Sequence, residues 1–264
     1  MIERLNNTNR NISETVNRNS ENIYKIKSSI EKTEKNISLI NKKADEIMFA
    51  NIFHDTVKNS EWLNIGLSFS GYAIGYNFAY ILYRVLNDLQ PEKILELGLG
   101  QSTKIINEYV KYFGKQINIE YHVVEHNREW ASFFKRSADL SDMTNFHFLD
   151  CYKRDMNGYM VNAYKDFKEE FNNKSFELIC IDAPNGYNQE YSRIDIFDIL
   201  PSCLEKQFII ILDDCNRAGE RRTIKLLEDE LSNNNIDFSS SFKYTGKTDV
   251  YLCVSKNYEF LCNI

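Results

Sequence analysis

Residues 94–103 read ILELGLGQST, a short apolar run with one acid in it, then two glycines one residue apart, then Ser-Thr. Ile94, Leu95 and Leu97 read as a buried strand. Gly98 and Gly100 suit a sharp turn where the backbone must approach something closely. Ser102 and Thr103 are good first-turn residues for a helix that continues through KIINEYVKYF and stops at Gly114. Strand, glycine turn and helix together open a nucleotide-binding α/β unit.

The rest of the chain has to say which nucleotide. At 264 residues it has room for one sizeable α/β domain plus an appendage. A net charge of −6 argues against nucleic acid as a partner, because phosphate binding needs a basic face. The six cysteines (151, 180, 203, 215, 253 and 262) form no CxxC pair and mostly sit in apolar runs, so reduced thiols are expected rather than disulfides or zinc. The opening MIERLNNTNR has no apolar signal core, and a cytoplasmic location is expected. Residues 64–83 carry no charge but hold three glycines and four tyrosines, too polar for a membrane span.

Residues 1–50 contain neither Gly nor Pro. Positions 2, 9, 16, 23, 30, 37 and 44 alternate with 5, 12, 19, 26, 33, 40 and 47 in an unbroken 3–4 spacing, and eleven of these fourteen are aliphatic. A helix packed on its own domain needs a wider apolar stripe, whereas a two-in-seven seam is what a coiled coil needs. Ile at both kinds of seam position favours three or more strands, with Asn9 and Asn19 setting register. A homo-oligomer joined through residues 1–50 is expected.

From residue 93 onward, strands and helices alternate. Strands are expected at 93–97, 119–125, 145–149, 176–181 and 207–213, then a hairpin of 236–244 and 248–255 turning near residues 245–247. Helices are expected near 73–89, 102–113, 127–138, 159–172, 193–200 and 217–233. The fold class is therefore α/β: a doubly wound, Rossmann-like, mostly parallel seven-stranded sheet with a C-terminal antiparallel hairpin, after a long N-terminal coiled-coil helix. Three segments follow: 1–50 for oligomerisation, 51–92 as a helical connector, and 93–264 as the Rossmann-like domain. Ligands of such sheets bind beyond the carboxyl ends of the strands. Acids stand there one after another: Glu96, Glu125, Asp150, Asp182, and Asp213 with Asp214.

This ordered series resembles the class I S-adenosylmethionine-dependent methyltransferases over about residues 70–256. The resemblance implies that Glu96, Gly98 and Gly100 form the first cofactor motif, with Ser102 and Thr103 at its edge. It further implies that Glu125 takes the ribose hydroxyls, Asp150 meets the adenine amino group, and Asp182 borders the cofactor. A dinucleotide fingerprint would want a third glycine where Thr103 stands, which weakens an NAD(P) oxidoreductase reading. Asp182 followed by Asp213-Asp214 also resembles the metal-dependent O-methyltransferases of the catechol and macrolide-sugar types. That resemblance implies a Mg²⁺ site on Asp182, Asp213 and Asp214, with Asp182 and Asp213 catalytic.

Arg193 and Arg217 are candidates to hold a phosphate or carboxylate on the substrate, and Asn185 lies in a turn suited to substrate contacts. His126, beside Glu125, is a candidate base. The stretch GYAIGYNFAYILYRVLNDLQPEKILELGLGQSTK resembles methyltransferase-like proteins of bacterial surface-polysaccharide (capsule) gene clusters, which implies a small polar acceptor such as a sugar, sugar nucleotide or phosphorylated compound. Two other classes stay open: an NAD(P)-dependent oxidoreductase, and a non-catalytic coiled-coil scaffold.

Overall fold

The computed structural model describes residues 1–244 and 247–264, with the backbone alone for residues 3–5. The expected turn of the last hairpin, near residues 245–247, therefore falls partly outside the described residues.

The first helix, α1, spans Ile2–Val57 without a break, past residue 50. Every residue from 6 to 44 is exposed. Docking on the domain begins at Glu46, whose Oε1 accepts the Tyr76 N–H at 3.1 Å, and continues through Phe53, which is buried against Phe69 and Tyr76, to Val57. Residues 64–75 carry no helix, so the uncharged stretch is not one continuous element. Among the described residues no helix is long and apolar enough to cross a membrane. The second helix, α2 (Tyr76–Leu89), buries its apolar face and stops at Gln90, which adopts a left-handed conformation before Pro91.

The strands are β1 (Lys93–Leu97), β2 (Glu120–Glu125), β3 (Thr144–Phe148), β4 (Cys151–Met156), β5 (Tyr159–Tyr164), β6 (Phe176–Ile181), β7 (Leu204–Leu212), β8 (Phe238–Lys243) and β9 (Val250–Ser255). Seven of them form one sheet in the order β3-β2-β1-β6-β7-β9-β8, parallel except that β9 runs antiparallel to both of its neighbours. The further helices are α3 (Gln101–Phe113), α4 (Arg128–Ser137), α5 (Phe167–Phe171) and α6 (Ala218–Asn233). Apolar side chains cover both faces, which is why the inner strands read as near-continuous hydrophobic runs. Ile94 joins the layer with Ile81, Ile105 and Leu252, whereas Leu95 and Leu97 join the opposite layer with Phe171, Ile210 and Leu227. By that alternation Glu96 faces the α2–α3 layer.

Two expectations are corrected. The helix expected over 159–172 is strand β5 followed by the short α5; β4 and β5 form a separate antiparallel hairpin. Its turn is Asn157-Gly158 with φ of 53° and 85°, the two consecutive left-handed positions that hairpin turns of this kind demand. The helix expected over 193–200 is a 3₁₀ segment, Ile194–Asp198. The hairpin packs on the loop after β6: Asn162 Nδ2 donates to the Asn185 carbonyl at 2.7 Å, and Arg154 grips both oxygens of Asp198.

Candidate functional site

Sheet order reverses between β1 and β6, opening a crevice at their carboxyl ends. Main-chain bonds continue the ladder one residue past each strand: Gly98 N–H to Val124 O at 2.9 Å, Asp182 N–H to Leu97 O at 2.9 Å, and Asp213 N–H to Ile181 O at 3.0 Å. Gly98, Glu125, Asp182 and Asp213 are thereby aligned along one edge.

On the β1–β2 side the glycine turn is built as the sequence requires. Gly98 has φ of 108°, and a Cβ there would lie 3.0 Å from the Ala183 Cβ. A Cβ on Gly100 would meet nothing within 4 Å. Its N–H donates to Thr103 Oγ1 at 2.9 Å. Ser102 and Thr103 are buried in the first turn of α3, above Glu96. Burial raises the Glu96 carboxyl to about 7, with the Ser102, Tyr121 and Thr103 hydroxyls acting in the opposite sense. The Tyr121 hydroxyl donates to Glu96 Oε2, and the buried Oε1 receives no hydrogen bond.

Glu125 is also buried. Its Oε1 accepts the N–H groups of His126 at 2.7 Å and Asn127 at 2.6 Å, and its Oε2 accepts Leu99 N–H at 3.3 Å. Burial would push its pKa up, but His126 and the backbone donors outweigh that and hold it below the ordinary value. His126 itself is raised to about 10, by the Cys151 side chain first and then by Glu125. Its Nδ1 stands 3.1 Å from Glu125 Oε1.

Trp130, unanticipated from sequence, closes this part. Asn127 caps α4 by accepting the Trp130 N–H at 3.0 Å, and the half-exposed indole donates to Leu99 O at 2.7 Å. An Asn N-cap followed three residues later by an aromatic was the available signal.

On the β6–β7 side the acids enclose a guanidinium. Arg193 is 2% exposed and donates from Nη2 to Asp182 Oδ1 at 2.9 Å and Asp214 Oδ2 at 2.5 Å. Its Nη1 donates to the main-chain oxygens of Asp213 at 2.6 Å and Ile181 at 3.3 Å. Arg217 Nη1 lies 2.8 Å from Asp214 Oδ2 and 3.5 Å from the fully buried Glu220. Asp214 and Arg193 both hold left-handed backbone conformations (φ 60° and 56°), a concentration of uncommon geometry typical of functional clusters. Burial raises Asp213 to about 6 and Asp182 well above its ordinary value; for Asp213 the neighbouring Asp214 charge adds to it. The half-buried Lys247 holds the connector by donating to Phe69 O at 2.7 Å, and burial lowers its pKa.

Two expectations fail here. Among the described residues no group of three or more His, Cys, Asp or Glu is arranged to hold a metal ion. The Asp182 and Asp214 carboxylates converge on Arg193 and Asp213 Oδ1 accepts the Asp214 N–H, so the expected Mg²⁺ set does not fit a divalent ion. Arg193, buried and with both Nη groups taken by Asp182, Asp214 and two main-chain oxygens, is not available to grip a substrate anion; Arg217 is about one-third exposed. Asp150 and Asn185 are exposed and lie outside both clusters: Asp150 stands 4.0 Å from Arg128, and Asn185 Oδ1 accepts the Tyr187 N–H at 2.9 Å.

No protein-family model matches the chain, and no curated protein matches it in sequence. Solved structures do. A protein from Klebsiella pneumoniae described as a candidate O-methyltransferase aligns at a TM-score of 0.50 and 13% identity, covering 80% of this chain and 98% of its own. TomG, an O-methyltransferase from Streptomyces achromogenes involved in tomaymycin synthesis and solved with S-adenosylmethionine, aligns at 0.49 and 14%, covering 83% and 92%. An O-methyltransferase from Bacillus cereus, solved with S-adenosylhomocysteine, aligns at 0.47 and 16%, covering 82% and 93%. At such identities the likeness is one of architecture, and the chain has the Rossmann-like methyltransferase fold.

Proposed function

We propose that the protein is an S-adenosylmethionine-dependent methyltransferase acting on an oxygen of a small polar acceptor. The observation that carries this reading is the charge of the crevice. Glu96, Glu125, Asp182, Asp213, Asp214 and Glu220 meet His126, Arg193, Arg217 and Lys247; burial raises Glu96, Asp182 and Asp213, and neighbouring carboxylates add to it. A cofactor with a sulfonium and an α-ammonium group relieves that excess of negative charge. A dinucleotide brings two phosphates into it, and the Gly100 N–H that a phosphate would need is already taken by Thr103.

The residues fit such a cofactor. Glu96 Oε1 is a buried acceptor without a donor, and the space above Gly100 is open. Gly98, Gly100, Ser102 and Thr103 would shape the methionine end, Glu125 Oε2 would accept from the ribose, Trp130 would wall the purine side, and Asp150 would stand at its outer limit. Asp182, with its side chain 28% exposed, borders the crevice and is the carboxylate placed to receive an acceptor hydroxyl proton. The bound cofactor supplies an electrophilic methyl group. Arg217 and Asn185 would contact the acceptor; the class of sugar, sugar nucleotide or phosphorylated compound rests on the sequence likeness of residues 71–104 to proteins of surface-polysaccharide gene clusters.

Calorimetry with four ligands tests the reading. S-adenosylmethionine and S-adenosylhomocysteine should bind saturably, and NAD and NADP should not. Binding of a nicotinamide dinucleotide without the adenosyl compounds would replace this proposal with an oxidoreductase.

A further inference from the structure

We infer that Arg193 is a resident cation occupying the place of a divalent ion, so that the wild-type crevice takes up no metal. The inference rests on the acid cluster itself. It does not depend on the methyl-transfer reading.

Hard cations of this class need several oxygens converging at roughly 2.0–2.6 Å on one point. Here the Arg193 Nη2 stands between Asp182 Oδ1 and Asp214 Oδ2, at 2.9 and 2.5 Å, and repels any second cation brought to those oxygens. A second guanidinium, Arg217, shares Asp214 Oδ2. The Asp213 carboxylate is partly used as well, with Oδ1 accepting the Asp214 N–H at 2.8 Å.

The guanidinium is held from behind as firmly as from the front. Its Nη1 binds two main-chain oxygens, one at the end of β6 and one just past β7, so it ties these strands together. The preceding residue, Ser192, is clamped to α6: Thr223 Oγ1 donates to Ser192 O at 2.7 Å, and Ser192 N–H donates to Thr223 Oγ1 at 3.2 Å. The loop closes on α6 through Gly186 and Gly219. A Cβ on Gly186 would come within 2.4 Å of the Ser192 Cβ, and one on Gly219 within 2.6 Å of the Gln189 carbonyl. An arginine anchored in this way is a fixed part of the wall, and its planar fork matches carboxylates that a metal would otherwise bridge. Arg193 is therefore a positioning residue. It sets the rotamers of Asp182 and Asp214 without touching the reacting atoms.

Mn²⁺ titration of the full-length protein, followed by electron paramagnetic resonance, tests this. The wild type should show no saturable site at the crevice, and S-adenosylhomocysteine should raise its melting temperature equally with and without chelator. Arg193→Ala, which uncovers Asp182 and Asp214 beside Asp213, should gain a saturable Mn²⁺ site; Arg193→Lys, which keeps a cation there, should not. Saturable Mn²⁺ uptake by the wild type that is lost in Asp214→Asn overturns the inference, and so does a folded Arg193→Ala that takes up no Mn²⁺. If Arg193→Ala does not fold, the wild type and Asp214→Asn decide alone. A melting temperature indifferent to S-adenosylhomocysteine counts against the proposed cofactor, while the Mn²⁺ result still decides the place of Arg193.

Discussion

Glu125 Oε2 accepts the Leu99 N–H at 3.3 Å, and this one bond joins the end of β2 to the glycine turn after β1. The other oxygen is saturated by two amides of the next turn, so the carboxylate has free acceptor capacity mainly on Oε2. A cofactor ribose would have to share that oxygen with Leu99.

Glu125→Gln should therefore weaken binding of S-adenosylhomocysteine strongly. Each hydrogen bond to a charged acceptor contributes about 1.5–3 kcal/mol, so losing the charge at one shared oxygen should reduce affinity by roughly tenfold to a hundredfold. Calorimetry measures the affinity, and a parallel melting curve separates it from damage to the turn. Unchanged affinity in a folded variant removes Glu125 from the cofactor site.

Glu96 should make stability depend on pH. Its folded-state value of about 7 lies above the ordinary 4.5, so its neutral form stabilises the fold at low pH, and this contribution is lost as pH rises from 4.5 to 7. Glu96→Gln, which stays neutral, should match the wild type near pH 5 and exceed it above pH 7 by on the order of 3 kcal/mol. Urea unfolding at several pH values measures the difference. A gap that does not widen with pH would show that Glu96 is ionised in the fold.

A second pH effect of opposite sign belongs to the histidine pair under β2 and β3. His122 Nδ1 and His147 Nε2 are 2.7 Å apart, while their outer nitrogens face Glu120 at 2.7 Å and Glu170 at 2.8 Å. Each outer nitrogen faces a carboxylate, and the inner nitrogens meet each other; full protonation of both rings would set N–H against N–H. Burial, followed for His147 by the His122 charge, lowers both values; Lys174, which also binds Glu120, acts the same way. Their stabilising contribution is present above the ordinary 6.5 and is lost as pH falls below it. In Glu96→Gln, where the carboxyl no longer interferes, stability should fall as pH drops from 7 to 5, and adding His147→Gln should flatten that slope.

The main sheet was legible because its inner strands are apolar runs bounded by turn residues, and because an acid or glycine ends most of its strands. The β4–β5 hairpin was legible too, in Asn157-Gly158 and in the alternation of Tyr159, Val161 and Ala163, but Met160, Ala163, Tyr164 and Phe167 also satisfy a helical spacing when the turn is overlooked. The strand-end acids could be placed along one edge from topology alone. What filled the space between Asp182 and Asp214 could not, because Arg193 arrives from a loop 11 residues beyond one partner and 21 before the other. Local patterning carries no signal for such a long-range ion pair, and the resemblance to metal-dependent enzymes gave no hint of it.

The last prediction concerns the helix that projects from the domain. We propose that α1 joins copies of this chain. Ile12, Val16, Ile23, Ile26, Ile30, Ile37, Ile40 and Ile47 are each between 51% and 66% exposed on a helix whose residues 6–44 touch nothing of their own domain closely enough to be covered. That stretch is about 60 Å long at 1.5 Å per residue, and each seam side chain gains about 1.5–3 kcal/mol on full burial. A second helix with the same seam in the same register covers it and places Asn9 and Asn19 opposite their own copies. Ile26→Asp with Ile30→Asp should therefore lower the molar mass seen by light scattering to that of a monomer. Domain melting and S-adenosylhomocysteine affinity should not change, because docking starts only at Glu46. A truncation that tests the same point should remove residues 1–44 and spare Glu46, Phe49 and Phe53. A wild-type chain already monomeric at micromolar concentration rules out self-association through this seam.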